Sequence, residues 1–355
     1  PYRALWSNVK FALEVYGAHC KEGDNVVSLL PLAHTYGMSF EFLYEFIHGL
    51  HVIFLTKMPT PRILMQAFRE LKPVVLICVP LILEKIVRKA ILPKIENPKV
   101  KLMLRVPILG NRIRKRICNG LKEALGGNLY EVIIGGSAIN KEVEDLLHDI
   151  GFNYTVGYGA TECSPIICYE DWHNFVPGSC GKVVPRMEVV IDSPEPHNVP
   201  GEILARGMNV MLGYYKNQQA TDETLRNGWY HTGDLGIIDN DGNVFIRGRI
   251  KNMLLGSNGQ NIYPEEIEDK LVSLPMVAEA VVVQRNEKLI GLVYPDMDQV
   301  QTLQLSMDNL IAIMNDYLSI LNEVLPAYER LAEIRIREEE FEKTPKKSIK
   351  RYLYT

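Results

Sequence analysis

The sequence predicts an α/β fold: part of a doubly wound, mostly parallel sheet, then a small antiparallel β module, then a C-terminal α+β unit. Three observations predict it. Up to Trp172, short apolar runs alternate with stretches of helical period. Beyond Trp172, prolines at Pro177, Pro185, Pro194, Pro196 and Pro200 interrupt short strands of alternating polarity. From Ile250 on, a proline-initiated helix is followed by long apolar strands.

The runs NVVSLLP (25–31), HVIFLT (51–56), PVVLICVP (73–80), EVIIGG (131–136) and NYTVGYG (153–159) read as strands buried on both faces, because they are apolar without alternation. Helical periodicity predicts helices over Met38–Gly49, Pro61–Leu71, Leu81–Leu92, Ile113–Leu125 and Asn140–Ile150. In the β module, MEVVID (187–192) and GEILARG (201–207) alternate with period two, and Asp241-Gly242 marks a hairpin. In the last unit Pro264 opens a helix in YPEEIEDKL, with acids in its first turn that suit the helix dipole. Strands VAEAVVVQR (277–285) and KLIGLVYP (288–295) follow, then a helix near Met307–Glu323 and a basic tail. The expected domains are 1–171, 172–249 and 250–355.

Composition excludes some classes. With 355 residues, 47% apolar and 23% charged, the chain has ample material for a core, and a net charge of −4 argues against a nucleic-acid partner. The longest apolar run, 73–83, is too short to span a bilayer and contains Pro80. Cys20, Cys78, Cys118, Cys163, Cys168 and Cys180 form no C-x-x-C pair, which fits a reducing, cytoplasmic setting better than zinc. Segment 94–122 holds nine Lys/Arg and one Glu. It reads either as a solvated charged helix or as a surface for anionic lipid, hence peripheral at the inner membrane surface, or for a phosphate-rich ligand.

TVGYGATECSP (155–165) is the most informative stretch. It is either an ordinary strand exit or a place where backbone comes close to a flat ligand, with Gly157 and Gly159 allowing the approach to Tyr158. Three further stretches stand in order: IIGGSAI (133–139), WYHTGDLG (229–236) and RGRIKNMLLGSNGQNIYPEEIE (247–268).

Together these motifs resemble the adenylate-forming enzymes: acyl-CoA synthetases, luciferases and peptide-synthetase adenylation domains. PLAHTYGM (31–38), GGNLYEVIIGGSAI (126–139) and FEKTPKKSIKRYLY (341–354) are most similar to bacterial long-chain fatty-acid–CoA ligases. The resemblance implies ATP-dependent conversion of a fatty acid to acyl-AMP, then transfer to coenzyme A, with Mg2+ as cofactor. It implies that Tyr158 stacks on adenine with Gly135, Gly136 and Ser137 on the other face and Gly159 beside it. Thr161 would bind phosphate, Glu162 would hold Mg2+, and Asp234 and Arg249 would reach the ribose. Lys251 would be the hinge of a mobile C-terminal lid, Gly259 would line the pantetheine tunnel, and His34 would lie at the acyl/phosphate side. Each residue also has a plainer reading as a turn, loop or structural position.

Two departures stand out. The family's Ser/Thr/Gly-rich phosphate loop is not found, so the chain is expected to be an N-terminally truncated fragment, inactive or impaired. In KTPKKSI (343–349) Ser348 occupies the position of the family's catalytic lysine, leaving Lys347 as the neighbouring cation, with Lys350 on the other side. Two alternatives remain open: an acid–thiol ligase for aryl or medium-chain acids, and a non-catalytic AMP- or CoA-binding protein. With the adenosine motifs present and the phosphate loop missing, the chain is expected to bind AMP or an acyl-adenylate mimic in preference to ATP. A calorimetric titration checks this, and clearly tighter binding of ATP counts against it.

Overall fold

The computed structural model describes residues 1–55, 61–95, 97–104, 106–256, 260–343 and 349–355. They form two compact units, one of Pro1–Thr232 with Gly236–Ile246 and the other of Gly233–Leu235 with Arg247–Thr355. The predicted α/β architecture is found, with a larger parallel-sheet part and a smaller α+β part.

The first unit is built on parallel strands β1 (Asn25–Ser28), β2 (His51–Phe54), β3 (Val75–Cys78), β4 (Glu131–Ile134) and β5 (Tyr154–Val156). β1 pairs with β2, placing Val26 opposite Val52, and β3–β4–β5 form a second parallel ladder with Leu76 opposite Val132. Val74 N–H donates to Asn25 O at 3.0 Å, which sets β1 beside β3. The spatial order is therefore 2-1-3-4-5, and it reverses between β1 and β3. In such sheets the crevice outside the carboxyl ends of the strands at that reversal is where ligands bind.

β3 and β4 are buried along their whole length because helices cover both faces. Leu76, Cys78, Val132 and Ile134 face helices Pro61–Leu71, Pro80–Ala90, Pro107–Ala124 and Lys141–Asp149 through Phe68, Leu83, Leu121 and Leu147. Val75, Ile77 and Ile133 face the other way, toward Phe11 and Tyr44. Phe11 belongs to helix Tyr2–Glu14, which the sequence reading missed. The helix expected over 38–49 opens as a π-helical stretch, Gly37–Leu43, continues as Tyr44–His48 and stops at left-handed Gly49. The helix expected from Ile113 starts earlier, because Pro107 suits a first helical turn.

Beyond β5 the chain makes the antiparallel ribbon β6 (Tyr158–Gly159), β7 (Ile166–Tyr169) and β8 (Lys182–Val183). A five-stranded sheet follows, made of β9 (Met187–Asp192), β10 (Gly201–Gly207), β11 (Leu225–Arg226), β12 (Trp229–Ile238) and β13 (Val244–Arg249). The Asp-Gly hairpin lies between β12 and β13. Gly242 has φ +87°, and Asp239 Oδ1 accepts from the N–H groups of Asp241 (2.9 Å) and Asn243 (2.8 Å).

The second unit has the short hairpin β14 (Leu254–Leu255) and β15 (Asn261–Ile262), then helix Pro264–Val272. Its sheet is β16 (Val277–Arg285), β17 (Lys288–Pro295) and β18 (Leu331–Ile336). β16 and β17 are antiparallel, whereas helix Met307–Val324 returns the chain so that β18 runs parallel to β17. Ile267, Leu271, Leu310 and Met314 cover one face of this sheet. The other face, carrying Val281, Val283, Ile290 and Leu292, is closed by Phe341 of the tail. Tyr354 meets Phe341 edge-on at 4.9 Å, and Arg337 lies over both rings. Arg351 pairs with buried Glu268 and donates to Val282 O at 3.1 Å, tying the tail to helix and sheet. Among the described residues no helix is long and apolar enough to cross a membrane.

Phe341 therefore holds the tail down. Phe341→Ala is expected to destabilise the second unit by about 3 kcal/mol, the usual cost of emptying a buried aromatic position. Urea unfolding of the variant against the parent chain measures it, and an unchanged midpoint contradicts the packing role.

Candidate active site

The carboxyl ends of the parallel strands carry most of the residues singled out from the sequence. The loop after β1 carries His34, the loop after β4 carries Gly135, Gly136 and Ser137, and the chain after β5 carries Tyr158, Gly159, Thr161 and Glu162. Parallel strands end on the same edge, so these separate stretches share one edge of one sheet.

The loop after β1 is fixed by a buried carboxylate. Glu41, in the π-helical stretch, accepts from Leu30 N–H at 2.7 Å, Leu29 N–H at 3.0 Å and the Ser28 hydroxyl at 3.1 Å. It thereby satisfies backbone donors that the end of β1 leaves unpaired. Burial pushes the Glu41 carboxyl up to about 7, and these donors act against that rise. His34 sits where the loop enters its helix, and its Nδ1 accepts from Tyr36 N–H at 3.2 Å. The proton of the neutral ring is therefore on Nε2, which makes Nε2 the donor.

Tyr36 was not singled out in the sequence. Its hydroxyl donates to Ile133 O at 3.3 Å, and its ring lies where a Cβ on Gly135 would sit, 2.9 Å away. Gly135 is thus a glycine because Tyr36 from the neighbouring loop covers it. Gly136, at φ +96°, takes a left-handed turn that exposes Ser137. The far end of this loop is pinned by Asn140, whose N–H donates to Glu84 at 2.8 Å and whose side chain caps helix Lys141–Asp149.

Gly159 is also closely approached by the chain itself. A Cβ there would lie 2.3 Å from Pro165 O. The neighbouring Tyr158 ring is buried in the core of the first unit, 7% exposed. Thr161 and Glu162 form a short 3-10 turn, with Thr161 exposed and Glu162 half-buried. Two residues missed by the sequence reading hold this turn. Asn8 donates to Cys163 O at 3.2 Å and accepts from Ile166 N–H at 3.0 Å, while the Tyr214 hydroxyl donates to Glu162 Oε1 at 2.7 Å. Burial and the Glu162 charge raise the Tyr214 pKa, so this hydroxyl stays protonated as the donor. Glu162 Oε2 and the Thr161 hydroxyl are hard oxygen donors of the kind Mg2+ takes, so the residues present fit that ion.

In the second unit, Arg249 Nε meets Asp234 Oδ1 at 2.7 Å, with the Asp234 carboxylate buried and the guanidinium mostly exposed. The sequence placed both at a ribose, and the fold brings them together. Lys251 is exposed in the turn Ile250–Asn252. Gly259, Lys347 and Ser348 lie outside the described residues. Of the nearby tail lysines, Lys350 pairs with Glu342 at 3.1 Å, and Lys343 pairs with Glu279 and Glu340.

A family model described as "AMP-binding enzyme" matches residues 2–215, and one described as "AMP-binding enzyme C-terminal domain" matches residues 251–354. A long-chain-fatty-acid–CoA ligase of Mycobacterium bovis is 28% identical over 81% of this chain and 50% of its own length. A 2-succinylbenzoate–CoA ligase of Bacillus cytotoxicus is 36% identical over 50% of this chain and 38% of its own length. The chain thus spans about half the length, or less, of these curated relatives. Among solved structures, O-succinylbenzoate coenzyme A synthetase from Bacillus subtilis, in complex with AMP, superposes with TM-score 0.76 at 21% identity. That match covers 99% of this chain and 64% of the other, a likeness of fold.

The burial of Glu41 carries a pH signature. A carboxyl held near 7 in the folded chain, against an ordinary value of 4.5, keeps its proton longer folded than unfolded. Its contribution is full below the unfolded value and is lost as pH rises through 7. Relative to Glu41→Gln, the parent chain is expected to lose about 3 kcal/mol of stability between pH 4.5 and 7.5. Urea unfolding at both pH values checks the difference, and parallel pH profiles for the two proteins contradict it.

Proposed function

The chain belongs to the AMP-binding enzyme family, and from that premise we propose that its parent protein is an ATP-dependent acid–thiol ligase. The reaction joins a carboxylate to the α-phosphate of ATP, releasing pyrophosphate and forming acyl-AMP. The thiol of coenzyme A then attacks the acyl carbon, and AMP leaves with the bonding electrons. The observation that carries the proposal is the convergence of the β1, β4 and β5 loops on one carboxyl edge at the order reversal.

The residues have distinct work in this reading. His34 Nε2–H donates to an oxygen of the carboxylate or α-phosphate, where negative charge builds as the two join. Thr161 donates its hydroxyl to phosphate. Glu162, oriented by Tyr214, would hold Mg2+ together with phosphate oxygens, and the ion would supply positive charge against the phosphates. Asp234 accepts from the two ribose hydroxyls while Arg249, paired with its carboxylate, aims it. Tyr158 and Gly135–Ser137 bound the adenine, with Gly159 beside it. Lys251 serves as the hinge on which residues 250–355 turn between half-reactions, Gly259 lines the path of the pantetheine arm, and Lys347 supplies cationic charge beside Ser348. The six cysteines are free and buried, which supports a cytoplasmic setting.

Two acid classes divide the relatives. The succinylbenzoate ligase, at 36% identity over half the chain, supports a small aryl acid as substrate. The long-chain fatty-acid ligase, at 28% over a longer span, supports the second reading. Pyrophosphate release by the full-length protein, assayed against aryl, medium-chain and long-chain acids, distinguishes them. Preference for aryl acids is expected, and release with none of the acids overturns the ligase reading.

The site makes a sharper prediction for Asp234. Asp234→Ala removes the acceptor for two ribose hydroxyls and is expected to weaken AMP binding at least about tenfold. Affinity for inorganic pyrophosphate, which has no ribose, should stay unchanged. A calorimetric titration of both ligands checks this, and equal loss for both would place Asp234 outside the ribose contact.

A further inference from the structure

The basic segment 94–122 has a geometry that its composition alone does not give. Helix Pro98–Leu104 turns tightly into helix Pro107–Ala124, with Val106 N–H donating to Met103 O at 3.2 Å and Gly110 N–H to Val106 O at 2.6 Å. Arg114 reinforces the corner by donating to Leu104 O at 3.4 Å, and it pairs with Asp149 at 2.8 Å. Four large apolar side chains stand in solvent at this corner: Leu102 (67% exposed), Val106 (49%), Ile108 (74%) and Leu109 (38%).

The second helix buries Gly110, Cys118 and Leu121. A period of 3.6 then puts Ile108, Arg112, Lys115 and Asn119 in one row on the opposite, outward face, with Arg116 beside them. Arg112, Lys115 and Arg116 are exposed and make no ion pair with any described residue. An apolar tip thus continues into a row of uncommitted cations, in a chain whose net charge is −4.

We propose that this corner docks on an anionic bilayer, with Leu102, Val106, Ile108 and Leu109 entering the headgroup region and Arg112, Lys115 and Arg116 lying on lipid phosphates. Charge complementarity selects an anionic partner, and the exposed apolar tip selects a lipid over a soluble polyanion, which has no apolar phase to receive Ile108. The docking is independent of the ligase reaction and of the nucleotide edge.

The experiment is co-sedimentation of the purified chain with two kinds of vesicle, phosphatidylcholine alone and phosphatidylcholine mixed equally with phosphatidylglycerol. Partitioning onto the anionic vesicles is expected to be at least about tenfold stronger and to fall with added salt. The triple variant R112Q/K115Q/R116Q should reduce it by about a hundredfold, and Ile108→Ser, which leaves every charge in place, by about fivefold. All substituted side chains are exposed, so an unchanged urea midpoint confirms folding in each case. Equal partitioning onto both vesicle types overturns the proposal. So does anionic binding that ignores Ile108→Ser, because that is adhesion by charge alone. A heparin column retaining the parent and Ile108→Ser chains equally, while vesicle binding separates them, supports the bilayer.

Discussion

The candidate active site depends first on the buried carboxylate of Glu41. A strand end leaves backbone donors without partners, and here those of Leu29 and Leu30 are buried or nearly so. Glu41 reaches back from the following helix and accepts both, together with the Ser28 hydroxyl. The loop between β1 and that helix then has one course open to it. His34 is held at the helix entrance by its bond from Tyr36 N–H, and Tyr36 is laid on Gly135 of the adjacent loop. One carboxylate therefore sets the register between two of the three loops at the carboxyl edge. Its raised pKa is the cost of that location.

The same logic recurs at the other loops. Asn8, buried in a helix far away in sequence, supplies both a donor and an acceptor to the turn around Cys163 and Ile166. Tyr214 aims Glu162 from the β module. Asn8 substitutes for missing backbone partners and is expensive to leave unpaired because it is buried, whereas Tyr214 acts on a side chain. The site is thus assembled by supports drawn from separate stretches of chain rather than by the motif residues themselves.

The second unit is organised around a sheet too small to protect both of its faces. Helices cover one face, and the tail covers the other through Phe341 and the Arg337, Tyr354 and Arg351 contacts. The tail's described lysines are drawn into ion pairs with Glu279, Glu340 and Glu342. Packing thereby fixes where the tail begins and ends, on either side of the stretch that carries Lys347 and Ser348.

Strand identity was legible in the sequence because β3, β4, β16 and β17 each carry an apolar run, VLIC, VII, AVVV and LIGLV, and the bounds read for β16 and β17 match the fold. Pro264 and the Asp241-Gly242 turn were legible for a local reason: each imposes its backbone geometry on its own neighbours. The motif order from Gly135 to Asp234 and Arg249 was legible too, since residue types in sequence are all a motif needs. The helix Tyr2–Glu14, the π-helical stretch and the roles of Glu41, Asn8, Tyr36 and Tyr214 were not. Each depends on a partner distant along the chain, and a one-dimensional pattern carries no record of which distant donor meets which acceptor. Gly159 makes the point in one residue: its sequence marks a close approach, and only the tertiary structure brings Pro165 O up against it.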